Sequence, residues 1–313
     1  MATDKTIVIL GVFVADTAYR AQRQPRIGET ILGSGFMLGP GGKGSNQAVA
    51  AARLGGKVHF ISRLGEDAFG ELALATWKDA GVVPQVTRDA ASYTGAAYVF
   101  VEDPGGNNAI IVCPGAAAHI GAEDIEANAD LIRSAALFVT QLEQPVEAAR
   151  TGLEIARAAG VPTILNPAPA AALPDSMLGL CTYLTPNETE AGELAGLAVG
   201  TLDQARAAGD RLLRRGVETA IVTLGEKGAL LHTSERSVHV AAIDAGTVVD
   251  TTGAGDAFNG GFAVALGEGR PVEDAVRFGC AAAALSVTRP GTARSMPQRG
   301  EVDALLGRNL PSR

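Results

Sequence analysis

The chain has 313 residues, 47% hydrophobic and 19% charged, enough apolar material for a sizeable core in one large domain or two modest ones. Against 34 Asp and Glu stand 26 Lys and Arg, a net charge of −8; the basic residues are scattered, which argues against a nucleic-acid or anionic-membrane partner. The three cysteines, Cys113, Cys181 and Cys280, lie far apart in apolar surroundings, a pattern that predicts buried, reduced thiols in a cytoplasmic protein without a signal or membrane span.

In chain order, TIVILGV (6–12) reads as a buried strand, and residues 13–40 then depart from the surrounding pattern as short antiparallel strands. GPGGKGSNQ (39–47) places four glycines around Lys43, with Ser45 and Asn46 at the start of the helical run NQAVAAARLG. Glycines let a backbone approach a ligand closely, and a helix start offers unpaired N–H groups. The spacing is not that of a P-loop, and a plain turn capped by Ser45 is the alternative.

KVHFIS (57–62) and the helical run FGELALATWKDAG (69–81) follow. Residues 92–115 read as a second pair of short strands around the turn DPGGNN, which joins residues 13–40 in one small appended sheet, either a lid or ordinary surface hairpins. ALFVT (136–140) is a strand that runs into TQLEQP, where Glu143 can accept hydrogen bonds from ligand hydroxyls.

After the helical run 147–160 come the strands PTILN (162–166) and YLTP (183–186). In TPNETE (185–190), Asn187 followed by Glu190 suits a capping box, and equally suits a pair facing nucleotide phosphates and organising Mg²⁺ through water. The helical run 202–216 leads to the strand TAIVTLG (219–225), and VTLGEKG (222–228) is a strand-to-strand turn or a loop along a nucleotide.

TGAGDAF carries the most information. Phe258 stands where a dinucleotide fingerprint needs Gly or Ala, and the motif comes late in the chain, so a hydride-transfer reading fails. The N–H groups of residues 253–256 can instead cradle charge on a phosphoryl group, while a lone Asp256 is also explained as complementing the helix dipole. The run 272–287 closes the series, and alternation of strands and helices predicts an α/β fold: a mainly parallel sheet flanked by helices with a small β-sheet lid.

Taken in order, GGKGSNQAVAA, QLEQP, LNPAPA, TPNETEA, VVDTTGAGDAFNG and AAAALSVTRPG make nearly the whole chain resemble the ribokinase branch of the pfkB carbohydrate kinase family. The resemblance implies one ribokinase-like domain over 1–313 with lid segments at about 13–40 and 92–115. Its implied activity is ATP-dependent phosphorylation of the primary hydroxyl of a pentofuranose, D-ribose first, with 2-deoxyribose, another furanose or a nucleoside as alternatives. A noncatalytic sugar- or nucleotide-binding regulator on the same fold is the rival from another class.

Carried across by position, Asp256 matches the catalytic base and Gly253, Ala254 and Gly255 the anion hole. Asp16, Gly42, Lys43, Asn46 and Glu143 match sugar-site positions. Asn187, Glu190, Thr223, Gly225, Gly228 and Gly255 match the ATP side, with Cys280 beside the adenine. Asp250, Thr252, Ser286, Arg289, Gly291 and Ser295 match elements that hold an activating K⁺. The resemblance also implies a homodimer through the lid. One departure stands out: Val14 occupies the place of an Asn usual in ribokinases, which predicts weak discrimination between ribose and 2-deoxyribose.

Overall fold

A computed structural model describes residues 6–308. Thirteen strands are described: β1 (Thr6–Leu10), β2 (Val14–Ala21), β3 (Gly35–Gly41), β4 (Lys57–Gly65), β5 (Val83–Asp89), β6 (Thr94–Glu102), β7 (Asn108–Gly115), β8 (Leu137–Thr140), β9 (Thr163–Leu165), β10 (Tyr183–Leu184), β11 (Thr219–Thr223), β12 (Ala229–His232) and β13 (Ser237–Val240). The helices are α1 (Lys43–Arg53), α2 (Ala68–Ala80), α3 (Ala122–Glu126), α4 (Ala129–Arg133), α5 (Val146–Ala158), α6 (Asp175–Leu178), α7 (Glu188–Ala195), α8 (Leu202–Arg214), α9 (Ala254–Gly267), α10 (Val272–Ser286) and α11 (Arg299–Arg308).

Nine strands form one sheet in the order β13-β12-β11-β10-β9-β8-β1-β4-β5, parallel from β5 to β11 and antiparallel at the β12 and β13 edge. β1 is buried throughout, and apolar from Ile7 to Leu10, because both its faces are covered. Ile7 and Ile9 pack in the core that takes in α1, α9 and α10, while Val8 and Leu10 pack in the core on the α5 side. From β1 the chain passes to β4 and β5 on one side, then returns through β8 to β9, β10 and β11 on the other. The reversal between β1 and β8 is a topological switch point, the place where the loops beyond the strand ends part and leave a crevice.

The second sheet, in the order β3-β2-β6-β7, is inserted after β1 and after β5. Its two hairpins are antiparallel as expected, but they join through a parallel β2 and β6 pair. Three strands, β5, β12 and β13, were not legible in the sequence: β5 is half-exposed and reads polar, and β12 and β13 form a short edge hairpin. Cys181 and Cys280 are buried, but Cys113 is exposed on β7, against expectation. It belongs to a strand whose residues 108–114 are all exposed, so local apolarity there marks an open sheet surface and not a core. Among the described residues no helix is long and apolar enough to cross a membrane.

Candidate active site

The glycine loop between β3 and α1 is shaped by close approach. Gly42 caps α1 with φ 89°, a conformation that favours glycine, and a Cβ there would stand 2.5 Å from the Val12 carbonyl oxygen. A Cβ on Gly41 would meet Asp16 Oδ2 at 2.2 Å, so this glycine leaves the space that the Asp16 carboxylate fills. Ser45 does not cap the helix: its hydroxyl accepts from Trp77 Nε1 at 2.9 Å, tying the loop to α2. Glu143, just past β8, accepts from the Lys43 backbone N–H at 2.7 Å, which brings two sequence-predicted residues together from positions 100 apart.

Asp256 lies in the first turn of α9, whose cap Gly253 has φ 80°. Its side chain is buried, and each carboxylate oxygen has a donor: Asn46 Nδ2 to Oδ2 at 3.0 Å and Gln47 Nε2 to Oδ1 at 3.1 Å. Burial raises its pKa, with the Lys43 charge and the Asn46 and Gln47 donors pulling the other way. The helix end alone favours the anion, so desolvation reverses the direction that the sequence suggested. Burial likewise lifts Asp16 to about 6, and Glu143 to about 7 despite Lys43.

Asp256, Gly253, Ala254 and Gly255 line a cleft of about 170 Å³ together with Lys43, Asn187, Glu190 and Thr223. Asn187 and Glu190 do form the capping box: the Asn187 side chain accepts from Glu190 N, and Glu190 Oε2 accepts from Asn187 N, both at 2.9 Å. They also line the cleft. Gly225 begins a 3₁₀ turn, residues 225–227, and Gly228 ends it at φ 98°; VTLGEKG is thus the connection from β11 to β12. Cys280 sits on α10 among core residues, its thiol pushed up to about 12 by burial.

Asp250 staples two distant segments. Its Oδ1 accepts from Thr252 N and its Oδ2 from Gly291 N, each at 2.9 Å, and the Asp250 N–H donates to the Val287 carbonyl. The Ser286 and Ser295 hydroxyls turn back to the Ala283 and Thr292 carbonyls, and Arg289 pairs with Glu301. A wider hollow of about 340 Å³ under residues 21–34 lies on the lid, away from these carboxylates.

Sequence reasoning passed over several buried amides. Gln47, Gln141 and Asn166 form a connected network behind Asp256, and Thr185 and Asn259 extend it. The available signal was the one that pointed to Glu143: Gln141 and Asn166 immediately follow strand runs.

A family model described as pfkB family carbohydrate kinase matches residues 4–299. The chain belongs to the pfkB carbohydrate kinase family. Among curated pfkB relatives, it is 38% identical to a ribokinase of Haemophilus influenzae, over 95% of this chain and 97% of that one. It is 37% identical to a deoxyribokinase of Salmonella typhi, over 97% and 99%. Among solved structures, that of Arabidopsis thaliana ribokinase complexed with ribose and ATP superposes with a TM-score of 0.91 at 35% identity, covering 96% of this chain and 98% of that one. The protein is a carbohydrate kinase of this family, on a ribokinase-like fold with a small β sheet.

Proposed function

We propose that the protein transfers the γ-phosphoryl group of ATP to the primary (5-)hydroxyl of a pentofuranose, with ribose and 2-deoxyribose both accepted. The observation that carries this reading is the place of Asp256: a buried carboxylate at the start of α9, facing the same cleft as Lys43, Asn187, Glu190 and Thr223. Asp16, Gly42, Asn46 and Glu143 receive the sugar between the body and the lid, with residues 1–313 acting as one unit. Gly225 and Gly228 flank the nucleotide, and Cys280 backs the adenine end.

In a loose phosphoryl-transfer transition state little proton removal is needed early, so a carboxylate whose pKa burial raises, and whose proton affinity rises with it, suits the task of taking the proton late. Asp256 aligns the hydroxyl and takes its proton as the new O–P bond forms and ADP departs with the bridging oxygen. The backbone N–H groups of residues 253–256, with the positive end of α9, stabilise the migrating group.

Glu190 already accepts from Asn187 with both oxygens, at 2.9 and 3.0 Å, a pair of oxygen donors that fits Mg²⁺ carried on the nucleotide and reached through water. Such an ion neutralises phosphate charge. The segments joined by Asp250 fit a K⁺ held mainly by backbone carbonyls, since the Ser286, Arg289 and Ser295 side chains are committed elsewhere. Exposed Tyr19, Phe36, Met37, Ile110, Ile111 and Val112 on the lid suit a second copy of the chain, and the cytoplasm is the compartment that supplies ATP.

ADP formation over a panel of ribose, 2-deoxyribose, fructose and nucleosides tests the assignment. A pentose-dependent rate with a 5-phosphate product is expected. No turnover with any furanose, alongside intact sugar or nucleotide binding, would sink it in favour of the regulator.

A further inference from the structure

We infer that Gln47 is a positioning residue for phosphoryl transfer: its amide, pinned by Asn166 and Gln141, holds Oδ1 of Asp256 and leaves Oδ2 to take the substrate's proton. This rests on Asp256 being the base. Gln47 cannot touch substrate, because it is fully buried beneath the cleft.

The polarity of the network follows from donors and acceptors alone. Asn166 Nδ2 donates to the Thr185 backbone carbonyl at 3.0 Å, a group that can only accept, so Asn166 must present Oδ1 on its other side. That Oδ1 accepts from Gln47 Nε2 at 3.1 Å. At the opposite end of the same amide, Gln47 Oε1 accepts from Gln141 Nε2 at 2.7 Å. Gln141 Oε1 is buried without a partner, so Gln141 could turn to meet a reversed Gln47 amide, but the reversal would still set Gln47 Oε1 against Asn166 Oδ1; the second Gln47 N–H therefore has a fixed target, Asp256 Oδ1 at 3.1 Å. Thr185, Asn166 and Gln141 stand at the carboxyl ends of β10, β9 and β8, which makes the orientation a product of the sheet itself.

Asn46, the donor to Oδ2, is held differently. Its own Oδ1 is buried without a hydrogen-bond partner, so only the ionised Asp256 carboxylate itself keeps the Nδ2 end of that amide facing it. When the hydroxyl proton arrives, Asn46 can turn to accept from a protonated Oδ2, whereas Gln47 has no acceptor to offer Oδ1. The proton therefore settles on Oδ2: the substrate O–H bond breaks, an Asp256 O–H bond forms, and the freed electron pair makes the O–P bond.

Other charges also face Asp256: Lys43 from α1, Glu143 after β8 and Glu190 from α7. Asp16 of β2 acts on Glu143. The test is therefore kcat against pH at saturating sugar and ATP, where the sugar occupies Asp16 and Glu143. Gln47→Leu removes the donor to Oδ1 and should move the acid limb up by about one pH unit, with kcat down ~10-fold at pH values well below the limb, unchanged on the plateau above it, and the KM values little changed. Gln141→Leu, one step further away, frees the Gln47 amide and should give a smaller shift of the same sign. Gln47→Glu replaces the donor with a carboxylate and should shift the limb further than Leu. A kcat loss that is equal at every pH in Gln47→Leu and Gln141→Leu overturns the inference and leaves Gln47 a packing residue. Asp256→Asn run in parallel separates the two ideas, since near-normal turnover there would remove the base itself.

Discussion

Replacing Asp256 by Asn should abolish most turnover while leaving the fold as stable as before, and both halves follow from the donors around it. Asparagine has one acceptor oxygen where aspartate has two, so one of the two present donors loses its partner if nothing else moves. A buried unsatisfied donor costs about 1–3 kcal/mol. Here the loss is avoidable. The pinned Gln47 N–H keeps the oxygen of the new amide, and Asn46 turns its unpartnered Oδ1 toward the new NH₂ group. Removing the charge also removes the desolvation that raises the Asp256 pKa. The melting temperature should therefore stay level or rise, while kcat falls by roughly 10² or more as general-base action is lost, with sugar and ATP binding retained. Calorimetry and coupled ADP assays on the same preparation check both. A melting temperature lowered by many degrees would refute the hydrogen-bond reasoning, and near-normal turnover would refute the role of Asp256.

Glu143→Gln should make the sugar-free protein more stable than wild type at pH 8, with the difference fading toward pH 4.5. The folded-state pKa of Glu143, about 7, lies above its ordinary 4.5, so ionisation penalises the folded state increasingly as pH climbs between these values; melts that show no pH-dependent gap would count against it. Wild type should phosphorylate ribose and 2-deoxyribose with kcat/KM values within about 10-fold, because Val14 is buried in an apolar cluster with Ala97 and leaves no polar group unpaired when the 2-hydroxyl is missing. Val14→Asn should raise the ratio in favour of ribose, and an unchanged ratio in a wild type that already rejects deoxyribose would show the idea wrong. K⁺ should raise the rate over Na⁺ or a bulky organic cation, since the segments at 249–252 and 286–295 are already held together through Asp250; equal rates in all monovalent salts would exclude the cation site.

The amino-acid sequence by itself determined the body of this protein and the places to look on it. Runs such as TIVILGV announce strands buried on both faces, and glycines beside Lys43 and before Asp256 announce backbone approaching a ligand, because each is a local consequence of side-chain period or conformational freedom. β5 and β13 escaped because half-exposed edge strands here carry no strong apolar run, β12 because it is a buried strand of only four residues, and Cys113 misled because an apolar run on an open lid looks like core. Only the tertiary structure decided the state of the carboxylates. Local sequence favours an ionised Asp256 at a helix start, whereas burial among α1, α9 and the strand ends pushes its pKa up. The amide network is also tertiary: Gln47 lies 94 residues from Gln141 and 209 from Asp256, and a hydrogen bond's direction depends on which groups the fold brings within 3 Å, which no local pattern encodes.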